Sequence, residues 1–105
     1  MYIAMNRFKV APEQAKAFED VWATRQSYLA EVPGFVEFHM LRGADCGDHV
    51  LYASHTVWSD RDAFDAWTHS EAFRLSHQRA NTSGPRLTLG HPVFEGYEVF
   101  QHIAA

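Results

Sequence analysis

Hydrophobic and polar positions alternate through residues 1–10 (MYIAMNRFKV), the two-residue period of a strand, and the run stops at Ala11-Pro12, where proline suits the first turn of a helix. From 12 to 32 the period lengthens. Ala15, Phe18, Trp22, Arg25 and Leu29 recur at steps of three and four, with Val21 and Tyr28 widening the stripe, so a helix is predicted as far as Pro33-Gly34. Residues 35–42 (FVEFHMLR) and 49–58 (HVLYASHTVW) are rich in aromatic and β-branched types, and GADCGD between them holds turn-forming glycine and aspartate, which predicts a hairpin. Ser59, three residues before Asp62, predicts the N-cap of a short helix carrying Ala63, Phe64 and Trp67. Ser70 predicts a second cap, opening a further helix in which Phe73 and His77 share a face. A loop over 81–92 leads to a last strand over 93–103.

The resulting order is β-α-β-β-α-β with the second helical region split in two. Helices gathered on one face of an antiparallel sheet give the ferredoxin-like α+β arrangement, and 105 residues suit one domain spanning 1–105. Such a sheet leaves its other face uncovered. In a chain with 14% aromatic residues a second copy is the expected cover, so a homodimer is predicted.

Charge narrows the partners. Nine basic against 13 acidic side chains, with Lys9 and Lys16 the only lysines and no basic run, argue against nucleic acid and against an anionic membrane. The apolar N-terminal stretch is broken at Asn6-Arg7, too short for a signal peptide or a membrane span, and Cys46 has no second cysteine to pair with; a cytoplasmic location is expected. Acidic neighbours Asp45 and Asp48 argue against Cys46 as a thiolate nucleophile. No G-x-S-x-G, Gly-rich phosphate loop or paired-carboxylate spacing is present.

Asn6 falls on the same face of its strand as Tyr2, Ala4 and Phe8, a carboxamide on an otherwise apolar face. It is either a hydrogen-bonded core asparagine or a donor aimed into a pocket. The seven histidines form no H-x-x-x-H or H-x-x-E-H pair, which leaves a conventional zinc site without support. A haem needs one axial imidazole, and His77, sharing a face with Phe73 near Trp67, is either that ligand or a core histidine. Trp67 either caps a core or projects into a cleft. Trp22 and Arg25, three apart on the first helix, either hold a planar anionic ligand or mark an amphipathic boundary.

Six fragments together resemble a known family: N-R-F at Asn6 to Phe8, T-R at Thr24-Arg25, P-G-F at Pro33 to Phe35, T-V-W-S at Thr56 to Ser59, F-x-x-W at Phe64 and Trp67, and S-E-A-F-x-x-x-H from Ser70 to His77. The chain resembles the IsdG-type haem-degrading monooxygenases of the antibiotic biosynthesis monooxygenase superfamily, over roughly residues 1–80 and the last strand. That resemblance implies a dimeric α+β barrel in which haem is substrate and cofactor together, consumed with O2 and electrons from a separate reductase. It implies His77 as the axial ligand of the haem iron, Asn6 as a hydrogen-bond donor on the distal side, and Trp67 as the bulk that pushes the porphyrin out of plane. By the same analogy Trp22 lines the pocket, Arg25 neighbours the propionates, and the 81–92 loop is a candidate lid. The bare superfamily pattern equally allows a cofactor-independent monooxygenase acting on an aromatic polyketide or quinol. A haem carrier or sensor, or a dimeric stress-response domain, is the non-enzymatic alternative.

Overall fold

The computed structural model describes residues 1–24, 29–71, 73–74 and 88–105. Strand β1 (Tyr2–Val10) is followed by a 3-10 turn at Pro12–Gln14 and helix α1 (Ala15–Thr24). A 3-10 turn at Leu29–Glu31 precedes the hairpin of β2 (Phe35–Asp45) and β3 (Val50–Trp58); helix α2 (Arg61–Thr68) and strand β4 (Val93–Glu98) complete the set. The sheet runs β2-β3-β1-β4 with every pairing antiparallel, the ferredoxin-like order expected from the sequence.

The alternation of β1 sorts its side chains as anticipated: Tyr2, Ala4, Phe8 and Val10 are buried under the helices and Arg7 and Lys9 are exposed on the opposite face. Residues directly opposite in an antiparallel pair share a face. The helix-covered surface therefore continues as Val50, Tyr52, Ser54, Thr56 and Trp58 on β3 and as Phe38, Met40 and Arg42 on β2. The register of β2 shifts between Phe35 and Glu37, one extra residue at Val36, so Phe35 and Phe38 both reach the covered face although they stand three positions apart.

Four boundaries depart from the sequence reading. Pro12 opens a 3-10 turn and α1 begins at Ala15; regular α-helix is described only to Thr24, whose hydroxyl donates back to the Asp20 carbonyl at 2.8 Å. The cap of α2 is Asp60, whose carboxylate accepts from the Ala63 N–H at 2.8 Å, and not Ser59, whose backbone N–H is instead taken by the Gly34 carbonyl. Asp60 wins because its backbone is extended and its side chain stands three residues from that N–H. Strand β2 runs to Asp45, three residues beyond the expected end. Strand β4 stops at Glu98, because β1, its partner, begins at Tyr2; one more bond, from the Val99 N–H to the Met1 carbonyl at 2.9 Å, closes the pairing. The second predicted cap is present: the Ser70 hydroxyl accepts from the Phe73 N–H at 3.2 Å.

Gly34 shows why P-G-F closes this corner. Its φ of +83° lies in the left-handed region, and a Cβ there would stand 2.4 Å from the Cβ of Ala63, so only glycine lets the turn lie against α2. Among the described residues no helix is long and apolar enough to cross a membrane.

Candidate active site

The covered face carries two separate apolar clusters rather than one. Phe8, Val10, Phe18, Val50 and Tyr52 form the first, with Trp22 and Met40 packed against it from α1 and β2. Tyr2, Ala4 and Trp58 form the second, under Ala63, Phe64 and Trp67 of α2 together with Leu29, Val32 and Phe35. On β1 the boundary falls between Ala4 and Phe8, which is Asn6; on β3, below the buried Thr56, it falls at Ser54. Asn6 and Ser54 are direct cross-strand partners, and the row extends to Phe94 on β4 and Met40 on β2. A polar pair thus divides the two aromatic clusters at the middle of the sheet.

The carboxamide of Asn6 is half-buried and makes no side-chain hydrogen bond among the described residues, so of its two sequence readings the hydrogen-bonded core asparagine does not hold there. Two polar groups further along β3 are engaged. Thr56 donates to the Ala4 carbonyl at 3.0 Å, and Tyr52 donates to Glu19 at 2.5 Å.

Trp67 lies half-buried in the last turn of α2, its ring centroid 5.4 Å from Trp58, 6.3 Å from Phe64 and 4.7 Å from Phe73, the last edge-on. It packs and borders the divide at once. Trp22 sits on the other side, 5.9 Å from Phe8 and stacked 6.0 Å from Phe38 at 18°. The structure therefore brings Asn6, Trp22 and Trp67 to the same face, with Asn6 between the clusters the two indoles join. His77 and Arg25 lie outside the described residues, as does the 81–87 part of the loop.

Sequence reasoning missed two further features. Phe94 is half exposed beside Asn6 and stacks on Phe64 at 5.7 Å and 8°. A concavity of about 270 Å³ opens between α1 and β2, walled by Phe18, Trp22, Phe38 and Met40 and by the trio Glu19, Arg42 and Tyr52. Burial first, and the hydrogen bond to Glu19 second, push the Tyr52 phenol above its ordinary value. Asn6 is not part of that wall. Of the strand histidines, His39 and His55 are cross-strand partners on the sheet face away from the helices, ring centroids 5.6 Å apart. Among the described residues no three His, Cys, Asp or Glu side chains group as metal ligands.

Known proteins share this fold. Deoxynogalonate monooxygenase from Streptomyces nogalater is 40% identical over 60 residues, 57% of this chain and 48% of that enzyme, so the chain spans about half its length. The structure of SnoaB, a cofactor-independent oxygenase from Streptomyces nogalater, superposes with a TM-score of 0.68 at 27% identity, covering 99% of this chain and 97% of that one. The haem degrader MhuD from Mycobacterium tuberculosis, solved with two haems in its active site, superposes with a TM-score of 0.77 at 23% identity, covering 99% and 100%. The sequence profile of the antibiotic biosynthesis monooxygenases matches residues 1–79, three quarters of the chain, and with the ferredoxin-like sheet in place the protein belongs to the antibiotic biosynthesis monooxygenase family.

Proposed function

We propose that the protein is a haem-degrading monooxygenase that opens the porphyrin ring with O2 and electrons from a separate reductase, releasing iron and a bilin-type product. The observation that carries this reading is the carboxamide of Asn6, without a side-chain hydrogen bond among the described residues and set between two aromatic clusters on the covered face. The carboxamide keeps access to solvent and is therefore free to donate to a ligand oxygen. The residues fit a planar, largely apolar group: indole and phenyl rings on both sides of the divide, and polar side chains confined to its middle.

Bound haem supplies the iron chemistry that activates dioxygen. The chain supplies the rest. In this reading His77 would hold the haem iron through its imidazole and Arg25 would hold the carboxylates of the haem. The Asn6 N–H groups would donate to a ligand oxygen held at the divide between the two clusters. Trp67, packed against Trp58, Phe64 and Phe73, would form one wall against the bound ring. Trp22 forms the opposite wall.

Haemin titration of the purified apoprotein tests this. A saturable Soret shift in wild type that is lost in His77→Ala is the expected result, followed by decay of the band when ascorbate is added in air. No saturable shift in wild type overturns the reading, and a stable band under reduction leaves a haem carrier.

A second reading, a cofactor-independent monooxygenase on an aromatic polyketide or quinol, is favoured by the 40% identity to deoxynogalonate monooxygenase. There Asn6 would hold a substrate carbonyl or hydroxyl. Oxygen uptake with a polycyclic quinol in haem-free, chelator-treated buffer separates the two.

In either reading we propose a homodimer formed through the open sheet face. Leu41, Val93 and Tyr97 are exposed there, Phe100 and Ile103 beyond β4 are 96% and 82% exposed, and the chain's surface of 7302 Å² exceeds the roughly 6,000 Å² expected of a compact monomer of this mass. Sedimentation equilibrium showing a monomer at micromolar concentration refutes it.

A further inference from the structure

The covered face of β3 carries three polar side chains in succession, Tyr52, Ser54 and Thr56, and all three are buried, at 2%, 7% and 8% exposure. Two are tied to the protein, Tyr52 to Glu19 and Thr56 to the Ala4 carbonyl. Ser54 is not: its hydroxyl makes no hydrogen bond among the described residues. More than nine-tenths buried, it lies directly across from Asn6 at the break between the two aromatic clusters. Neither the Ser54 hydroxyl nor the Asn6 carboxamide is sealed from solvent, and neither makes a side-chain hydrogen bond among the described residues, so two polar groups stand open to a ligand at one spot. Cβ atoms of direct cross-strand partners stand about 4.5–5.5 Å apart, close enough for both side chains to reach one small atom above them.

We infer that Ser54 is a second binding residue of the site, its hydroxyl donating to the same ligand oxygen as the Asn6 amide. The inference rests on the haem reading, in which haem would bind over this part of the sheet. Serine suits the role because its O–H rotates to meet an acceptor whose position changes during turnover. It is also small enough to leave the ligand plane close to the strands.

The experiment uses the ferric haemin complex and fluoride, an iron ligand whose affinity reports hydrogen-bond donors near it. Fluoride is titrated into complexes of wild type, Ser54→Ala, Ser54→Thr and Asn6→Ala. Ser54→Ala is expected to weaken fluoride about three- to tenfold, the size of one lost hydrogen bond, with haemin affinity unchanged. Ser54→Thr, which keeps the hydroxyl, is expected to stay within about twofold of wild type. Alanine keeps the small volume, so a residue present only for packing would leave fluoride affinity unmoved in Ser54→Ala, and that result overturns the inference whatever Asn6→Ala does. Equal weakening in Ser54→Ala and Ser54→Thr overturns it too, since shape and not the hydroxyl would then matter. Failure of wild type to bind haemin at all overturns the haem reading and this inference together.

Discussion

Removing one hydroxyl, in Tyr52→Phe, tests how the wall of the concavity beside α1 is built. The phenol is 2% exposed and donates to a Glu19 oxygen at 2.5 Å, the same oxygen that Arg42 approaches at 3.4 Å. A hydrogen bond to a charged acceptor contributes about 1.5–3 kcal/mol net, but Glu19 is 42% exposed and water can replace the phenol, so the loss is placed at about 1–2 kcal/mol. At roughly 4–8 °C per kcal/mol for a domain of this size, the melting temperature at pH 7 should fall by roughly 5–15 °C. A double-mutant cycle with Glu19→Ala should return a coupling of about 1 kcal/mol. The pH dependence has a definite sign. Burial and the bond to Glu19 raise the Tyr52 value, so above the ordinary value of 10.0 the folded chain holds a proton that the unfolded chain releases. That contribution is complete below about pH 10 and is lost as pH rises through the folded value, and Tyr52→Phe should show a shallower decline of stability in that range. Calorimetry at pH 7 and across pH 9–11 measures both. An unchanged melting temperature, or a decline as steep as wild type, refutes the argument. Loss of haemin binding with normal melting would move Tyr52 into the site and refute its purely structural role.

Three other outcomes are expected. Gly34→Ala should cost at least ~2 kcal/mol in urea denaturation, from the left-handed backbone together with the close approach to Ala63; a smaller cost would mean that the turn reshapes freely. Asp60→Ala should cost about 1 kcal/mol and Ser59→Ala markedly less, and equal costs would contradict the assignment of the α2 cap. Asn6→Ala and Trp67→Phe should both retain haemin binding but slow the decay of the Soret band under reductant in air; normal rates in both would remove the roles proposed for them.

Much of the architecture was legible because it depends on local periods. The two-residue alternation of β1 put Asn6 on the face of Tyr2, Ala4 and Phe8, where the structure has it, and the three- and four-residue steps of α1 put Phe18 and Trp22 on one stripe, as their contacts with Phe8 bear out. The β-α-β-β-α-β order then fixed the sheet. What was not legible depends on geometry that a local pattern does not contain. Ser59 and Asp60 are both good capping residues, and only the backbone angles at the corner decide between them. The bulge at Val36 is set by how Phe35 meets Trp58, a partner 23 positions away. Strand β4 ends where its neighbour begins, whatever the β-propensity of the residues beyond.

Ser54 is the sharpest case. In the sequence it is one small residue inside LYASHTVW, indistinguishable from Ala53 as a strand position, and nothing within several residues of it suggests chemistry. Its meaning comes from register: 48 positions separate it from Asn6, and the β1–β3 pairing sets the two side by side. The same pairing places apolar residues on both sides of them, so a polar strip crosses a face that a fold selected for stability alone would fill with one continuous core. A chain this small has little apolar surface to spare, and interrupting it at the sheet centre costs stability that packing elsewhere must offset. Sequences tend to break their own local rules where function requires it. An amide and a hydroxyl on neighbouring strands, without side-chain hydrogen bonds among the described residues and flanked by indoles from two helices, are such a break. This co-location, rather than either residue singly, marks the middle of the sheet as the place where a ligand's polar atom belongs.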